Sequence, residues 1–311
     1  MNKPSFLIVF VSLIFLMSSL SFPLHNFVSL AEGQQQQQQQ QQQSAITTSS
    51  KNVTDLIKSN GKNSSLQLEN KTVNYFDNAS GYLVYPISTS SNGTNNTSNN
   101  NINNNNTTFP AVVMIHENKG LNDNIKSMAN LLAKEGYVIL AVDLFNGEVT
   151  TDQKRASELT QAIRDNPDIA ISNLKSAVTY LSSLPNVNPE KIASLGWCFG
   201  GQQSLQLALN SEGHPLSATV IYYGRLVTEP ETLSKIHWPI LGIFGDQDKS
   251  IPVESVKKFE EALNANGITN EIYIYKGVGH AFANPSGDNY APKETQDAWE
   301  KTVSFLKKYL G

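Results

Sequence analysis

The stretch Ile192-Ala-Ser-Leu-Gly-Trp-Cys-Phe-Gly-Gly201 runs from an apolar segment into a turn that centres on the only cysteine of the chain, Cys198. Residues 192–195 predict a buried strand, and residues 202–209 predict a helix directly after the turn. Glycines two residues before and two residues after the cysteine allow close backbone approach in a tight turn. Such a turn lifts the side chain above the strand end, at a helix N-terminus that favours a negative charge.

Apolar strands and amphipathic helices alternate on both sides of this turn. The predicted strands are residues 73–76, 81–85, 111–115, 137–142, 192–195, 218–223, 240–244 and 271–275. The predicted helices are residues 121–134, 153–163, 167–184, 202–209, 253–266 and 295–310. This alternation is typical of the α/β class, and it predicts a mostly parallel sheet of about seven or eight strands with helices on both faces.

The first part of the chain differs in composition from the rest. Residues 1–31 combine an early lysine with a long apolar run and small residues, which predicts a secretory signal peptide or a retained N-terminal anchor. Residues 32–66 contain ten consecutive glutamines and many Ser and Asn residues, which predict a disordered tether. We expect one catalytic domain over residues 67–311, with an Asn-rich loop insertion at residues 89–108.

Sequons for N-glycosylation occur only in the part of the chain that ends at Thr108. Asn52, Asn63, Asn70 and Asn78 are the candidates that stand apart from the Asn-rich cluster at 92–106, where sequons arise by chance. The pattern predicts a glycosylated arm on an otherwise sugar-free body, outside the cytoplasm and either secreted or held at the cell surface.

Composition excludes several classes of partner. The net charge is −4 and no basic patch stands out, which argues against nucleic acid or an anionic membrane surface as partner. We expect contact with a membrane only through an N-terminal anchor. A single cysteine rules out an internal disulfide bond. We expect a monomer that needs no metal or organic cofactor.

Two later loops supply a base and an acid for the cysteine. His280 follows the predicted strand 271–275, and both Asp246 and Asp248 follow the predicted strand 240–244. In a parallel sheet the loops at the carboxyl ends of the strands meet, so His280 is expected to act as general base for Cys198. Asp248 is the preferred partner of the imidazole, because the extra loop residues let its side chain fold back, whereas Asp246 is placed to cap the turn.

The segment His116-Glu-Asn-Lys-Gly120 follows the predicted strand 111–115. We expect Cys198 to be the nucleophile at its strand-to-helix turn. In sheets with such a turn, a backbone N–H of the loop after this earlier strand and the N–H after the nucleophile form an oxyanion hole, and we assign these donors to Asn118 and Phe199. Glu117 either pairs with His116 or Lys119 or faces the thiol, and spacing alone leaves both possibilities open.

These motifs resemble the dienelactone hydrolase family across nearly all of residues 72–310. The matching segments are His116-Glu-Asn-Lys-Gly-Leu121, Gly136-Tyr-Val-Ile-Leu-Ala-Val-Asp-Leu-Phe145, Gly196-Trp-Cys-Phe-Gly-Gly201, Tyr222-Tyr-Gly224, Gly245-Asp-Gln-Asp-Lys-Ser-Ile-Pro252 and Gly279-His-Ala-Phe282. The resemblance implies an α/β-hydrolase fold and a Cys-His-Asp triad. It also implies that Glu117 interacts with the thiol and converts it to thiolate when substrate arrives.

The resemblance further implies cyclic enol-lactones with a carboxylate as substrates, but the pattern departs from the family at one position. Family lactonases carry an arginine four residues after the histidine, where this chain has Asn284. Arg155 is a loose match to a second substrate-binding arginine. Asn284, Arg155 and Tyr222 are therefore the candidate substrate-binding residues, and loss of the bidentate cation weakens the expectation of an anionic lactone.

The sequence thus predicts an exported hydrolase that cleaves small esters or lactones through a thioester acyl-enzyme. A thioesterase or peptidase on the same triad is the alternative enzyme. A non-catalytic surface-binding module on the same fold is the alternative outside catalysis, and the filled triad positions argue against it.

Overall fold

The computed structural model describes residues 66–87, 108–213 and 216–311. The predicted signal segment, most of the tether and of the Asn-rich insertion, Asn52 and Asn63 lie outside the described residues. Within the described part, none of the helices combines the length and apolar character needed to span a bilayer.

Eight strands form a single sheet in the described part of the chain. They are β1 (Gln67–Phe76), β2 (Ala79–Ile87), β3 (Phe109–Ile115), β4 (Val138–Val142), β5 (Val187–Trp197), β6 (Ala218–Tyr222), β7 (Ile240–Gly245) and β8 (Asn270–Tyr275). The spatial order is β1-β2-β4-β3-β5-β6-β7-β8. The first two strands run antiparallel to their neighbours and the other six are parallel, so the predicted α/β class is confirmed.

Six helices lie between these strands within the described residues, and a seventh follows the last strand. They are α1 (Asp123–Lys134), α2 (Gln153–Asp165), α3 (Pro167–Ser182), α4 (Phe199–Leu209), α5 (Pro230–Leu233), α6 (Val253–Ala265) and α7 (Pro292–Leu310). Side chains of α3, α4 and α6 belong to the apolar core on one face of the sheet, and those of α1 and α7 to the core on the other. Every residue of β4 and β6 is buried, as expected for strands covered on both faces.

The structure differs from the prediction in where some strands begin and end and in one additional short helix. β1 begins six residues earlier than predicted, because most of it is solvent-exposed and carries little of the apolar pattern that marks a strand. β2 extends two residues beyond its predicted bounds at each end. β5 begins five residues earlier than residue 192, in a polar segment around Pro189. The short helix α5 was not predicted, since a single turn leaves no periodic pattern.

The fold brings the loops of interest to one edge of the sheet. Gly196 at the end of β5 lies opposite Ile115 at the end of β3. Trp197 lies opposite Tyr222, and Gly245 lies opposite Tyr275, at the ends of the later strands. The loops after β3, β5, β6, β7 and β8 therefore all leave from the same side, where ligands of parallel sheets gather.

Candidate active site

Cys198 occupies the strained turn between β5 and α4. Its φ is 56°, in the left-handed region that a residue with a Cβ seldom adopts. The turn is held by a hydrogen bond of 2.9 Å from the Cys198 N–H to the Tyr222 carbonyl oxygen. A Cβ on Gly196 would lie 2.1 Å from the Gly200 oxygen, and one on Gly200 would lie 2.3 Å from the Ile115 oxygen. Only glycine fits at either position.

The imidazole of His280 lies between the sulfur and a carboxylate. Its Nε2 is 3.0 Å from Cys198 Sγ, and its Nδ1 is 2.7 Å from Asp248 Oδ2. The other Asp248 oxygen accepts hydrogen bonds from the backbone N–H groups of Ser250 and Ile251, at 2.8 and 3.0 Å. The structure thus brings together the three side chains that the motifs singled out, although they come from three separate loops.

The charges around His280 favour the imidazolium. Burial by itself would lower the pKa of His280, but the hydrogen bonds to Asp248 and Cys198 outweigh burial and raise the pKa to about 10. The Asp248 side chain is fully buried, whereas 27% of the His280 side chain remains exposed. Tyr223 packs its ring edge-on against the imidazole, with 5.2 Å between centroids. An imidazolium in this position is suited to stabilising a thiolate.

Asp246 has a different role from Asp248. One of its oxygens accepts a hydrogen bond of 2.7 Å from the Gly277 N–H and thereby joins the loops after β7 and β8. It is partly exposed, and its side-chain hydrogen bonds go to Gly277 and Gln247 rather than to the imidazole. The geometry therefore agrees with the preference for Asp248 as the histidine's partner.

Glu117 is buried beside the triad, with 5% of its surface exposed. Its carboxylate accepts a hydrogen bond from the Asn284 side-chain amide. Burial raises the pKa of Glu117 to about 7, against the smaller opposing effects of His280, Lys119 and the Asn284 hydrogen bond. The alternative ion pair between Glu117 and His116 is absent, because His116 contacts the Glu117 carbonyl oxygen rather than the carboxylate. Lys119 acts on Glu117 as a nearby charge, without a hydrogen bond among the described contacts. A carboxyl with a pKa near neutrality can exchange a proton at physiological pH.

His116 fixes the loop that carries Glu117 and Asn118. Its Nδ1 lies 2.6 Å from the Glu117 carbonyl oxygen, and its Nε2 accepts a 3.1 Å hydrogen bond from the Leu144 N–H. This pattern places the ring proton on Nδ1. The ring is completely buried and stacks on Phe199, with 5.9 Å between centroids. His116 therefore ties together the two segments expected to donate to an oxyanion.

A cavity of about 770 Å³ opens in front of the sulfur. Its lining includes Cys198, Asn118 and Phe199 together with residues of α2. Among the α2 residues is Arg164, which carried no signal in the sequence. The volume lies within the range of typical small-molecule sites, about 300–1,000 Å³.

Two of the candidate substrate-binding residues lie elsewhere. Arg155 is at the exposed start of α2, where its guanidinium pairs with Glu148 at 2.6 Å and Glu158 at 3.1 Å, and it does not line the cavity. Tyr222 points its hydroxyl into the core, 2.7 Å from the Thr302 hydroxyl. The expectation that these two side chains bind substrate is therefore wrong. The neighbouring Tyr223 contacts the His280 ring instead, and nothing in the sequence distinguished the two tyrosines.

Of the four glycosylation candidates, two lie within the described residues. Asn70 in β1 and Asn78 in the following turn are both exposed. Among the described residues, no group of three or more His, Cys, Asp or Glu side chains is arranged to hold a metal ion.

The chain is similar to known proteins along most of its length. A sequence model described as "Dienelactone hydrolase family" matches residues 101–310. A protein of Saccharolobus solfataricus named "Putative carboxymethylenebutenolidase" is 29% identical over 238 residues, which cover 64% of this chain and 89% of the relative. A Bradyrhizobium protein named "Probable 2-oxo-3-(5-oxofuran-2-ylidene)propanoate lactonase" is 29% identical over 235 residues, 72% of this chain and 94% of the relative.

Solved structures share the fold. The dienelactone hydrolase-like promiscuous phosphotriesterase P91 from metagenomic libraries superposes with a TM-score of 0.67 at 23% identity, over 78% of this chain and 99% of that one. At this identity the likeness concerns the fold alone. The sequence relatives carry the assignment of chemistry, which is hydrolysis of lactone or ester bonds.

Proposed function

This chain belongs to the dienelactone hydrolase family and is a hydrolase of ester or lactone bonds, and on that premise we propose that Cys198 is its nucleophile, His280 its general base and Asp248 the residue that orients the imidazole. One observation carries the proposal. At a strained strand–helix turn, the sulfur lies 3.0 Å from His280 Nε2, and His280 Nδ1 lies 2.7 Å from Asp248. Both distances are short enough for proton transfer or ion pairing without rearrangement.

The proposed reaction has two acyl transfers. The Cys198 thiolate attacks the substrate carbonyl carbon, and the carbonyl π electrons move to the oxygen. That oxyanion is stabilised by the backbone N–H groups of Asn118 and Phe199, each contributing about 3 kcal/mol. The C–O bond then breaks, and His280 gives its proton to the leaving alkoxide or enolate. A thioester on Cys198 remains.

Deacylation repeats the sequence with water. His280 removes a proton from a water molecule, which attacks the thioester carbonyl. The tetrahedral intermediate collapses, Cys198 leaves as a thiolate, and the carboxylic acid departs. In a lactone, the alcohol and the acid are parts of one product, so the ring is opened and one water is consumed.

Glu117 is proposed to act on the resting thiol rather than on the substrate. Its carboxyl is fixed by Asn284, and with a pKa of about 7 it can hold or release a proton near neutrality. In the conformation described here the thiol is paired with His280, which corresponds to the reactive arrangement. A second rotamer of Cys198 directed toward Glu117 would be the protected one.

The test of the nucleophile combines activity and labelling. Wild-type protein is expected to hydrolyse a panel of lactones, aryl esters, thioesters and peptides with a preference for oxygen esters and lactones. Cys198→Ala should lose that turnover together with labelling by a thiol-reactive probe. Cys198→Ala that retains turnover would remove this residue from the nucleophile role, and a preference for thioesters or peptides would move the enzyme to the alternative class.

Export and glycosylation are proposed alongside the chemistry. The apolar N-terminal segment, the Gln-rich stretch and the sequons support a protein outside the cytoplasm, cell-bound or released. Exposure of Asn70 and Asn78 leaves both sequons accessible to a glycosyltransferase. Native protein from its own cells should lose mass on glycosidase treatment. An unchanged mass would refute glycosylation, and an intact Met1 in the mature protein would refute signal cleavage.

A further inference from the structure

Tyr223 is a fully buried residue whose hydroxyl group makes no hydrogen bond among the described residues. Its backbone is strained, with a φ of 36° in the left-handed region, and its N–H donates to the Ile243 carbonyl oxygen at 2.8 Å. Burial raises the pKa of Tyr223 well above its ordinary value, so the hydroxyl keeps its proton. The Ala283 N–H lies near the oxygen and can only donate, so the hydroxyl proton lacks an acceptor. A buried donor without an acceptor is unfavourable.

Asn124, in the first turn of α1, has a second buried polar atom of this kind. Its Oδ1 makes no hydrogen bond within the described part of the chain. Asn124 and Tyr223 line the same small cavity, which has a volume of about 10 Å³, and Glu117 and Asn284 line it as well. That volume is about what a single water molecule needs. Buried polar groups that find no partner within a protein are usually joined by such a water.

The small cavity is separate from the substrate cavity. None of its lining residues lines the 770 Å³ cavity to which Cys198 belongs. Apolar side chains from the core that α1 and α7 share with the sheet form the rest of its wall, among them Ile125, Met128 and Trp197. A substrate or an organic ligand cannot enter so small a volume, so water is the occupant that fits.

The polar groups around the small cavity match what one water molecule can donate and accept. Tyr223 supplies a hydroxyl donor, and Asn124 Oδ1 supplies an acceptor. Glu117 supplies a second acceptor, because Asn284 engages its Oε2 and leaves Oε1 available. A water that accepts one hydrogen bond and donates two would therefore pair all three groups.

We propose that the small cavity binds one water molecule, which accepts from the Tyr223 hydroxyl and donates to Asn124 Oδ1 and to the Glu117 carboxylate. Tyr223 and Asn124 are then positioning residues, since they hold the water that fixes the carboxylate beside the triad. A hydrogen bond to a carboxylate favours its charged form, so the water makes Glu117 easier to ionise. The effect on Glu117 rests on the proposed function, whereas the water site stands without it.

Removal of the Tyr223 hydroxyl distinguishes a hydrated group from an unpaired one. If the hydroxyl has no partner, Tyr223→Phe should raise the urea midpoint of unfolding, because it removes a buried polar group that makes no hydrogen bond. If the water is bound, Tyr223→Phe should lower the midpoint, and so should Asn124→Leu. The double variant should lose less stability than the two losses added, since the same water is lost only once. A raised midpoint for Tyr223→Phe, or strictly additive losses, would overturn the inference.

A high-resolution crystal structure of the wild-type chain would locate the water directly. We expect density for one oxygen atom at hydrogen-bond distance, about 2.6–3.2 Å, from Tyr223 Oη, Asn124 Oδ1 and one Glu117 carboxylate oxygen. This measurement does not depend on whether the variants fold. Absence of density between these atoms would overturn the inference.

The alkylation rate of Cys198 tests the effect of the water on Glu117. Iodoacetamide carries no charge, and because Cys198 is the only cysteine, the modified mass reports on one thiol. The charged groups that act on Glu117 are His280 and Lys119. Since His280 also pairs with the sulfur, the titration of Glu117 should appear as an inflection in the rate against pH. Glu117→Gln should abolish this inflection, which identifies it.

Loss of the water should move the inflection to higher pH. Tyr223→Phe and Asn124→Leu should each shift it by about one pH unit, the size expected for one hydrogen bond to a charged group. Tyr222→Phe is the matched control, because it removes a neighbouring buried hydroxyl that pairs with Thr302 and does not line the small cavity. It should leave the inflection in place. An equal shift in Tyr222→Phe, or no inflection that depends on Glu117, would overturn the effect on Glu117.

These measurements separate failure of the inference from failure of the proposed function. If Cys198→Ala retains turnover of activated esters, the proposed function fails, and the density and the urea midpoints still decide whether the water is bound. If hydrolysis depends on Cys198 and neither Tyr223→Phe nor Asn124→Leu moves the inflection, the function stands and the positioning role of these two residues is refuted.

Discussion

Replacement of Glu117 by glutamine tests the electrostatics of the site through protein stability. Folding raises the pKa of Glu117 from 4.5 to about 7, chiefly by burial. The native state therefore holds a proton that the unfolded chain releases between these two values. A difference of about 2.5 pKa units corresponds to about 3 kcal/mol of free energy of unfolding, at about 1.4 kcal/mol per unit.

The sign of the effect follows from the raised pKa. Below pH 4.5 the Glu117 carboxyl is protonated in both the folded and the unfolded protein. Burying it then does not lower the free energy of unfolding. As pH rises toward 7, the penalty grows, and above about pH 7 it is present in full. Glutamine has no charge to bury and keeps an oxygen that accepts from Asn284. Glu117→Gln should therefore gain stability relative to wild type as pH rises.

The assay is urea unfolding of the full chain, followed by circular dichroism, between pH 4.5 and 8. The difference in free energy of unfolding between Glu117→Gln and wild type should increase by about 3 kcal/mol across this range. Glu190→Gln is the control, since Glu190 is exposed, and its difference should stay flat. A flat difference for Glu117→Gln would mean that the carboxylate is stabilised by partners that the described contacts do not include, and the proton-holding role would be refuted.

Three further predictions concern the triad, the turn and the core. Asp248→Asn should lower kcat by roughly 10³- to 10⁴-fold and bring the pKa of His280 down from about 10, measured by pH–rate profiles and by NMR titration of the ring; an unchanged His280 titration would contradict the pairing. Gly196→Ala should destabilise the protein by about 1–3 kcal/mol or more in thermal unfolding, whereas Gly287→Ala, whose added Cβ meets nothing nearer than 3.5 Å, should be close to neutral. Tyr222→Phe should lose about 1 kcal/mol of stability with little change in kcat/KM, and a large loss of kcat/KM would reinstate this residue in substrate binding.

Much of the fold could be predicted because the parallel strands leave strong signals in the sequence. β4 and β6 are buried throughout, so their apolar runs are continuous and their bounds agree to within one residue. β1 is mostly exposed and pairs through its backbone, which leaves little trace in side-chain polarity. The ends of elements in such polar segments depend on tertiary pairing that local patterns do not encode.

Some residues of the candidate site could be predicted from the sequence, and others could not. Cys198, His280 and Asp248 could be singled out because each follows a predicted strand in a loop of distinctive composition, and the structure brings them together. Arg164 could not, since it is one of several polar residues on an amphipathic helix and only the packing of α2 decides which of them faces the cavity. Arg155 matches the family pattern by position alone, and position does not reveal that Glu148 and Glu158 hold its guanidinium at the surface.

In the proposed mechanism one sulfur atom, Cys198 Sγ, carries the acyl group between the two half-reactions. Intact-mass and peptide-mass spectrometry of the full chain, quenched in acid during turnover of a slow aryl ester, tests it most directly. We predict a transient increase equal to the acyl group, on the peptide that contains Cys198, sensitive to hydroxylamine as a thioester is. An acyl group on any other residue, or steady turnover with no adduct in wild type or in Asp248→Asn, would contradict the account.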